Sequence, residues 1–113
     1  LMGREELAGV ITAVTGEETT VADLLTYGAR RLNMLRAFNA REGITRESDT
    51  LPKRLFEPLE GGPTDGQSVD RDQFEAALEI YYEMAGWDPA TGNPTGETLD
   101  ELGLGWLKEE LSL

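Results

Sequence analysis

The sequence predicts a small, irregular all-α domain of three to five helices with one long ordered loop. Apolar residues recur at intervals of three and four over several segments, which is the period of an amphipathic helix. No segment shows the sustained two-residue alternation of a half-buried strand. Residues 44–69 are interrupted repeatedly by glycine and proline, so this part of the chain predicts the loop.

Two helices are predicted before the loop. Residues 4–14 carry an apolar stripe, which consists of Leu7, Val10, Ile11 and Val14. Residues 21–41 form the longest helical pattern, with Thr20 as the N-cap and Asp23 three residues later as its capping-box partner. We expect one face of this second helix to be buried, and it consists of Val21, Leu24, Leu25, Leu32, Leu35 and Phe38. Gly28 lies on the same face and predicts a close-packed neighbour, because glycine otherwise weakens a helix interior.

The loop of residues 44–69 contains one short helical turn, predicted at Pro52–Phe56 because proline suits the first helical position. A structureless connection of this length is unusual inside a compact domain. We therefore expect the loop to be ordered and to wrap a surface, either of this chain or of sequence outside it.

A second strong helix is predicted at residues 71–85, with Asp70 as its N-cap. Its apolar face consists of Phe74, Ala77, Leu78, Tyr81 and Ala85. A turn then leads to a short helix capped by Thr95 or Thr98, and a last helical turn is predicted between residues 106 and 111.

A length of 113 residues predicts a single domain, residues 1–113. Residues 57–113 hold fourteen acids and two bases, and they account for the net charge of −12, because eight acids and eight bases cancel in residues 1–56. Such a surface repels nucleic acid and anionic lipid, so neither is an expected partner. No apolar run is long enough to span a membrane and no signal peptide is visible, so we expect a cytoplasmic protein. Adaptation to high salt stays open.

The residues alone assign no catalytic, cofactor-binding or metal site. The chain has no cysteine and no histidine, which removes thiolate chemistry, cysteine-based metal ligation and the usual general base. Acidic pairs such as Glu79 and Glu83 predict a solvated face rather than an acid–base dyad. Residues 65–76 lack the glycine and glutamate positions of a calcium-binding EF-hand loop. The glycine pairs at 61–62 and 103–105 predict turns rather than phosphate sites.

Two groups of residues have both a structural and a functional interpretation. Between Arg41 and Arg54, bases alternate with acids, which predicts an ion-pair staple of the loop or a contact for an anion or cofactor phosphate. These charged residues are Arg41, Glu42, Arg46, Glu47, Asp49, Lys53 and Arg54. Tyr81, Tyr82 and Trp87 predict core packing or the wall of a ligand site. The staple and the core are the favoured interpretations.

Two motifs occur in an order and spacing that point to a known family. They are the run Asn39–Arg54 and, about thirty residues later, the segment Tyr81–Asp88. The matching residues are Gly28-Ala29-Arg30-Arg31, Leu35-Arg36, Phe38-Asn39, Arg41-Glu42-Gly43, Arg46, Asp49, Leu51-Pro52, Arg54, Tyr81-Tyr82, Gly86-Trp87-Asp88, Pro94-Thr95, Leu99 and Leu102-Gly103-Leu104. Residues 4–104 thereby resemble the C-terminal end of the tungsten-containing aldehyde:ferredoxin oxidoreductase family. The turn 89–93 is slightly long, and the tail 105–113 runs past the usual ending.

This resemblance implies a C-terminal segment of a larger enzyme that oxidises aldehydes to carboxylic acids and passes electrons to ferredoxin. It implies a tungstopterin and a four-iron four-sulfur cluster in the full-length enzyme, with their contacts upstream of the matched residues. It therefore implies no catalytic, cofactor-binding or metal residue in residues 1–113, and a structural role packed on the remaining domains. The alternative is a free-standing acidic helical module that binds a partner protein. As a segment, the isolated chain is expected to be marginally stable, because one face of its long helix lacks a cover.

Overall fold

The computed structural model describes residues 2–113 and confirms the all-α class. Its helices are α1 (Arg4–Thr15), α2 (Val21–Arg41), α3 (Arg71–Ala85), α4 (Gly96–Glu101) and α5 (Leu107–Glu110). Short 3-10 turns at Arg46–Ser48, Lys53–Phe56 and Gly62–Thr64 lie between α2 and α3. Within residues 2–113, β-type pairing is limited to one isolated bridge between Trp87 and Pro94. None of the described helices has the length and apolarity needed to cross a lipid bilayer.

Side-chain caps begin three of these helices at the predicted positions. The Thr20 hydroxyl accepts the backbone N–H of Asp23 at 3.2 Å, and the Asp23 carboxylate accepts the backbone N–H of Thr20 at 2.8 Å. Asp70 caps α3 by accepting a backbone N–H at 2.8 Å. Thr95 caps α4 by accepting the N–H of Thr98 at 3.2 Å. These bonds satisfy donors that a helix start leaves unpaired, so the predicted starts are confirmed.

The hydrophobic core is small and lies between the C-terminal half of α2 and the last two helices. It consists of Ala37, Leu99, Leu104 and Leu107, with Leu102 and Leu111 packed against them. The radius of gyration is 18.6 Å, whereas a compact domain of this length would have about 13 Å. The described residues therefore form an open arrangement that buries little apolar surface among themselves.

The predicted buried face of α2 is wrong for four of its six residues, whereas Val21 and Leu24 are half-buried. Leu25, Leu32, Leu35 and Phe38 are 61%, 42%, 48% and 54% exposed. The buried residues of this helix are instead Asn33, Arg36 and Ala37, which lie on a different side at 100° per residue. Apart from the neighbouring residues and the nearby backbone of α2 itself, no heavy atom of the described residues lies within 4 Å of the place that a Cβ on Gly28 would take. The apolar pattern identified the most hydrophobic side of the helix, and this chain packs against another side.

The same difference appears on α1, which packs against α2. Leu7, Val10 and Val14 of the predicted stripe are exposed, and the buried residue is Ala8. The two N-terminal helices therefore present apolar side chains outwards.

The connection between α2 and α3 is ordered, as predicted. Leu59 donates its backbone N–H to the carbonyl of Gln67 at 2.9 Å, and the ring of Phe56 packs edge-on against Phe74 with centroids 5.7 Å apart. Residues 57–73 are nevertheless exposed throughout. The loop folds back on itself and stands away from the core.

Truncation of one core leucine should distinguish the small core from the exposed apolar side of α2. Leu99 has no exposed surface, so Leu99→Ala should lower the free energy of unfolding by about 3 kcal/mol through lost burial and the cavity left behind. Leu25→Ala is the matched control, and at 61% exposure it should change stability by less than about 0.5 kcal/mol. Urea unfolding of the isolated 113-residue chain, followed by circular dichroism, measures both, and equal losses would contradict the assignment of the core.

Candidate functional site

The most densely connected group of charged and aromatic side chains surrounds Arg36. We name it the Arg36 cluster, and it consists of Asn33, Arg36, Asp49, Tyr82, Trp87 and the backbone carbonyl of Gly92. Two of these residues lie on α2, one follows the first 3-10 turn, one lies on α3, and two belong to the turn after α3. Four segments of the chain therefore meet at this point.

Arg36 uses both ends of its guanidinium group. Its Nη1 and Nη2 donate to the two carboxylate oxygens of Asp49 at 2.8 and 2.6 Å, and its Nε donates to the carbonyl of Gly92 at 2.7 Å. The side chains of Arg36 and Asp49 are only 8% and 23% exposed. A bidentate, charge-assisted pair of this kind fixes geometry as well as supplying energy.

Aromatic residues complete the cluster. The Trp87 Nε1–H donates to Asn33 Oδ1 at 2.9 Å, so the buried indole nitrogen has a partner. The guanidinium carbon of Arg36 lies 5.1 Å from the centroid of the Trp87 ring, within cation–π range. The hydroxyl of Tyr82 donates to the Asp49 carboxylate. Tyr82 and Trp87 are buried, so the core interpretation is right for both.

Each charged group of the cluster is held in one protonation state at neutral pH. Burial raises the pKa of Asp49, but hydrogen bonds from Arg36 and Tyr82 outweigh burial, and the net pKa lies below its usual value. The hydrogen bond with Asp49 raises the pKa of Arg36. Burial, together with the hydrogen bond to Asp49, raises the pKa of Tyr82 to about 12. The cluster is therefore a fixed cation, a fixed anion and a neutral phenol.

Gly92 packs directly against Arg36 and Tyr82, and a residue with a side chain would not fit at this position. A Cβ on this residue would lie 2.5 Å from Nη2 of Arg36 and 2.9 Å from the ring carbon Cζ of Tyr82. Its φ of +69° also belongs to the left-handed region that favours glycine. The turn after α3 thereby brings a backbone carbonyl onto the guanidinium group.

Arg46 forms a second connection beside the cluster. Its guanidinium donates to the carbonyl of Pro89 at 2.5 Å and to the carboxylate of Glu75 at 3.0 Å, and its Cζ lies 5.3 Å from the Tyr82 ring centroid. The predicted ion-pair staple is therefore confirmed only in part. Asp49 and Arg46 do hold the loop, but their partners Arg36 and Glu75 lie outside the predicted set.

The remaining charges of the predicted staple do not join the cluster. Arg41 pairs at the surface with Glu42 at 3.1 Å and with Glu110 at 3.5 Å. Lys53 reaches Glu57 only at 4.0 Å. These pairs are exposed, and exposed ion pairs contribute little to stability.

An open cleft of about 430 Å³ lies beside the cluster. Phe74, Leu78 and Tyr81 of α3 supply much of its apolar lining. Tyr81 is 47% exposed, so the core interpretation is wrong for this residue, which lies on the rim. Its ring centroid is still 5.8 Å from that of Trp87 in an edge-to-face contact.

The family model described as aldehyde ferredoxin oxidoreductase, domains 2 & 3, matches residues 1–104. The chain belongs to this family. It is 35% identical over 105 residues to the tungsten-containing aldehyde ferredoxin oxidoreductase of Pyrococcus furiosus, a match covering 91% of this chain and 17% of that protein. It is 41% identical over 66 residues to the aliphatic sulfonate oxidoreductase, WOR-like subunit, of the same organism, covering 58% of this chain and 10% of the relative.

A solved structure contains the same fold inside a longer chain. It is the active site complex BamBC of benzoyl coenzyme A reductase in complex with 1,5-dienoyl-CoA, with a TM-score of 0.78 and 28% identity. The match covers 96% of the present chain and 15% of that one. The chain thus spans less than a fifth of the length of each of these three proteins. The resemblance seen in the sequence motifs is confirmed, and α5 lies beyond the residues that the family model matches.

The residues of this chain do not fit an iron–sulfur cluster. The sequence has no cysteine to supply cluster thiolates. Within residues 2–113, no group of three or more acidic side chains is placed to hold a metal ion. Arg36, the buried cation that suits a phosphate, is already occupied by Asp49 and Gly92. What the Arg36 cluster can do is hold four segments in a fixed arrangement.

Removal of the Asp49 charge should destabilise the chain strongly. Asp49→Asn leaves the Arg36 cation buried without its counter-ion, so we expect a loss of about 3 kcal/mol in the free energy of unfolding. Glu42→Gln is the matched control, because it removes one carboxylate of an exposed arginine pair and should cost less than about 1 kcal/mol. Urea unfolding measures both. A loss for Asp49→Asn no larger than that of the control would show that the cluster does not hold the fold.

Tyr82 should make the fold less stable at alkaline pH. Its pKa is raised from 10.0 to about 12, so between these values the unfolded chain releases this proton and the folded chain retains it. Stability is therefore lost as the pH rises from 10 towards 12. Tyr82→Phe should begin from a lower stability and lack this part of the decline, whereas Tyr81→Phe should retain it. Melting temperatures across this pH range test the expectation, and identical slopes for the two variants would refute it.

Proposed function

We propose that this chain is a structural segment of a tungsten-containing aldehyde oxidoreductase and positions the other domains without supplying a reacting group. The observation that carries this proposal is the Arg36 cluster. Its buried charges are paired with one another and with backbone, so they serve to fasten segments rather than to meet a substrate. The small share of its relatives' length that the chain spans supports the same role.

The activity proposed for the whole enzyme is the oxidation of an aldehyde to a carboxylic acid, with ferredoxin as electron acceptor. It is supported by the family match and by the name of the Pyrococcus furiosus relative. We assign the tungstopterin and a four-iron four-sulfur cluster to the other domains, since this chain lacks their ligands. A cytoplasmic location, residues 1–113 as one helical domain, and the remaining domains as its immediate partners belong to the same proposal.

A second substrate class is supported by a different relative. The 41% identity over 66 residues to the aliphatic sulfonate oxidoreductase, WOR-like subunit, favours an aliphatic sulfonate as the alternative substrate of the whole enzyme. A free-standing binding module is not favoured, because the same fold recurs inside much longer chains.

The complete polypeptide encoded by the gene should bind tungsten and oxidise aldehydes. Elemental analysis of the purified protein and reduction of a one-electron dye in the presence of an aldehyde or an aliphatic sulfonate measure metal content, activity and substrate class. The 113-residue chain, produced alone as the control, should contain no stoichiometric tungsten and reduce no dye. Aldehyde oxidation by the chain alone, or a complete polypeptide without tungsten, would overturn the proposal.

A further inference from the structure

The exposed apolar side of α2 has the properties of a buried helix face. We name it the outer stripe, and it consists of Leu25, Gly28, Leu32, Leu35 and Phe38. Its four large side chains are 42–61% exposed, and residues 25–38 extend along about 20 Å of the helix. Soluble proteins rarely leave a contiguous apolar surface of this kind uncovered, so the stripe indicates a docking surface.

Gly28 indicates how closely the partner approaches. A glycine in the middle of a helix weakens it relative to alanine, and nothing within the described chain occupies the space beside it. A missing side chain in the centre of an apolar stripe lets a second backbone come nearer than a leucine would permit. Gly28 lies between Leu25 and Leu32, so it marks the crossing point.

The lengths of the relatives and the charge of the chain identify the occupant. The same fold occupies 15–17% of two longer chains, so most of each of those polypeptides lies outside it. A second copy fits poorly, since each copy carries a net charge of −12 and copies repel. The outer stripe belongs to residues 1–56, where charges cancel, whereas the excess acid lies in residues 57–113.

We propose that the outer stripe of α2 docks onto an apolar surface of the preceding domains of the same polypeptide, with the backbones closest at Gly28. This inference rests on the proposed function in that it requires a larger enzyme around the chain. The partner surface is uncharged and aliphatic, with a helix or strand that crosses α2.

Cysteine accessibility in the complete polypeptide tests the docking. Leu32→Cys places a thiol on the outer stripe, and Glu97→Cys places one on exposed α4 in the acidic half as the matched control. Alkylation is followed at each position by peptide mass spectrometry, so other cysteines do not interfere, and each rate is divided by its rate in urea. We expect at least a tenfold protection at position 32 and less than twofold at position 97. Equal rates would overturn the docking, as would protection that disappears on dilution, which would indicate a second copy.

A size change at Gly28 tests the crossing point. In the complete polypeptide, Gly28→Leu should lower the melting temperature and speed alkylation at position 32 at least fivefold. Thr26→Leu, on the same helix but off the stripe and exposed, should change neither. If the two variants behave alike, the close approach at Gly28 is wrong.

The two proposals fail in different ways. An active tungsten enzyme with a reactive cysteine at position 32 would refute the docking and leave the proposed function standing. A protected cysteine at position 32 in a polypeptide without tungsten or activity would support the docking and refute the proposed function.

Discussion

The bidentate pair between Arg36 and Asp49 is the interaction on which the rest of this structure depends. The aliphatic cluster of Ala37, Leu99, Leu104 and Leu107 is too small to define the positions of five helices and a long loop. The pair fixes the loop after α2, the turn after α3 and α3 itself around one guanidinium group. A buried ion pair of this kind contributes little net energy compared with apolar packing, but removing one partner is costly. We infer that it specifies one arrangement of segments whose apolar contacts alone would permit several.

Helix α2 reverses the usual relation between polarity and burial. Its side towards the chain's own centre carries an arginine and an asparagine, and its aliphatic side points outwards. This reversal is expected if the segment lies at the surface of a larger protein, with the outer stripe of α2 against that protein and the opposite side of the segment towards water. The polar cluster then holds the segment together, and the aliphatic side contributes to the core of the larger protein.

Local features of the structure were predictable from the sequence, and non-local ones were not. The bounds of the three longer helices and the caps at Thr20 and Asp70 follow from residues within one or two turns, and they were predicted correctly. The apolar stripe of α2 was also real, but periodicity identifies a hydrophobic side and not the surface that covers it. That surface is not formed by the described residues, so the burial prediction was wrong.

The Arg36 cluster shows the same limit for the candidate site. The alternation of charges between Arg41 and Arg54 correctly indicated ion pairing, and Arg46 and Asp49 take part in it. Arg36 was missed because its hydrogen-bond partners, Asp49 and Gly92, lie 13 and 56 residues away from it in the sequence. A usable signal existed: a charged residue one turn beyond Asn33 on the same helix is suited to a buried hydrogen-bond network.

The separations within the chain set an order for its assembly. Arg36 and its partner Gly92 are 56 residues apart in the sequence. Arg30 is 72 residues from Leu102, whose carbonyl accepts a hydrogen bond from the Arg30 Nε at 2.7 Å. During synthesis from the N-terminus, α2 is therefore complete long before its inward side finds any of these partners. The leucines of its outer stripe, in contrast, can pack against another domain as soon as the helix has formed. The apolar side of the nascent helix would thus pack on an already folded neighbouring domain first. Its polar side would bind the later residues of this chain afterwards, so this segment would be the last part of the larger protein to fold.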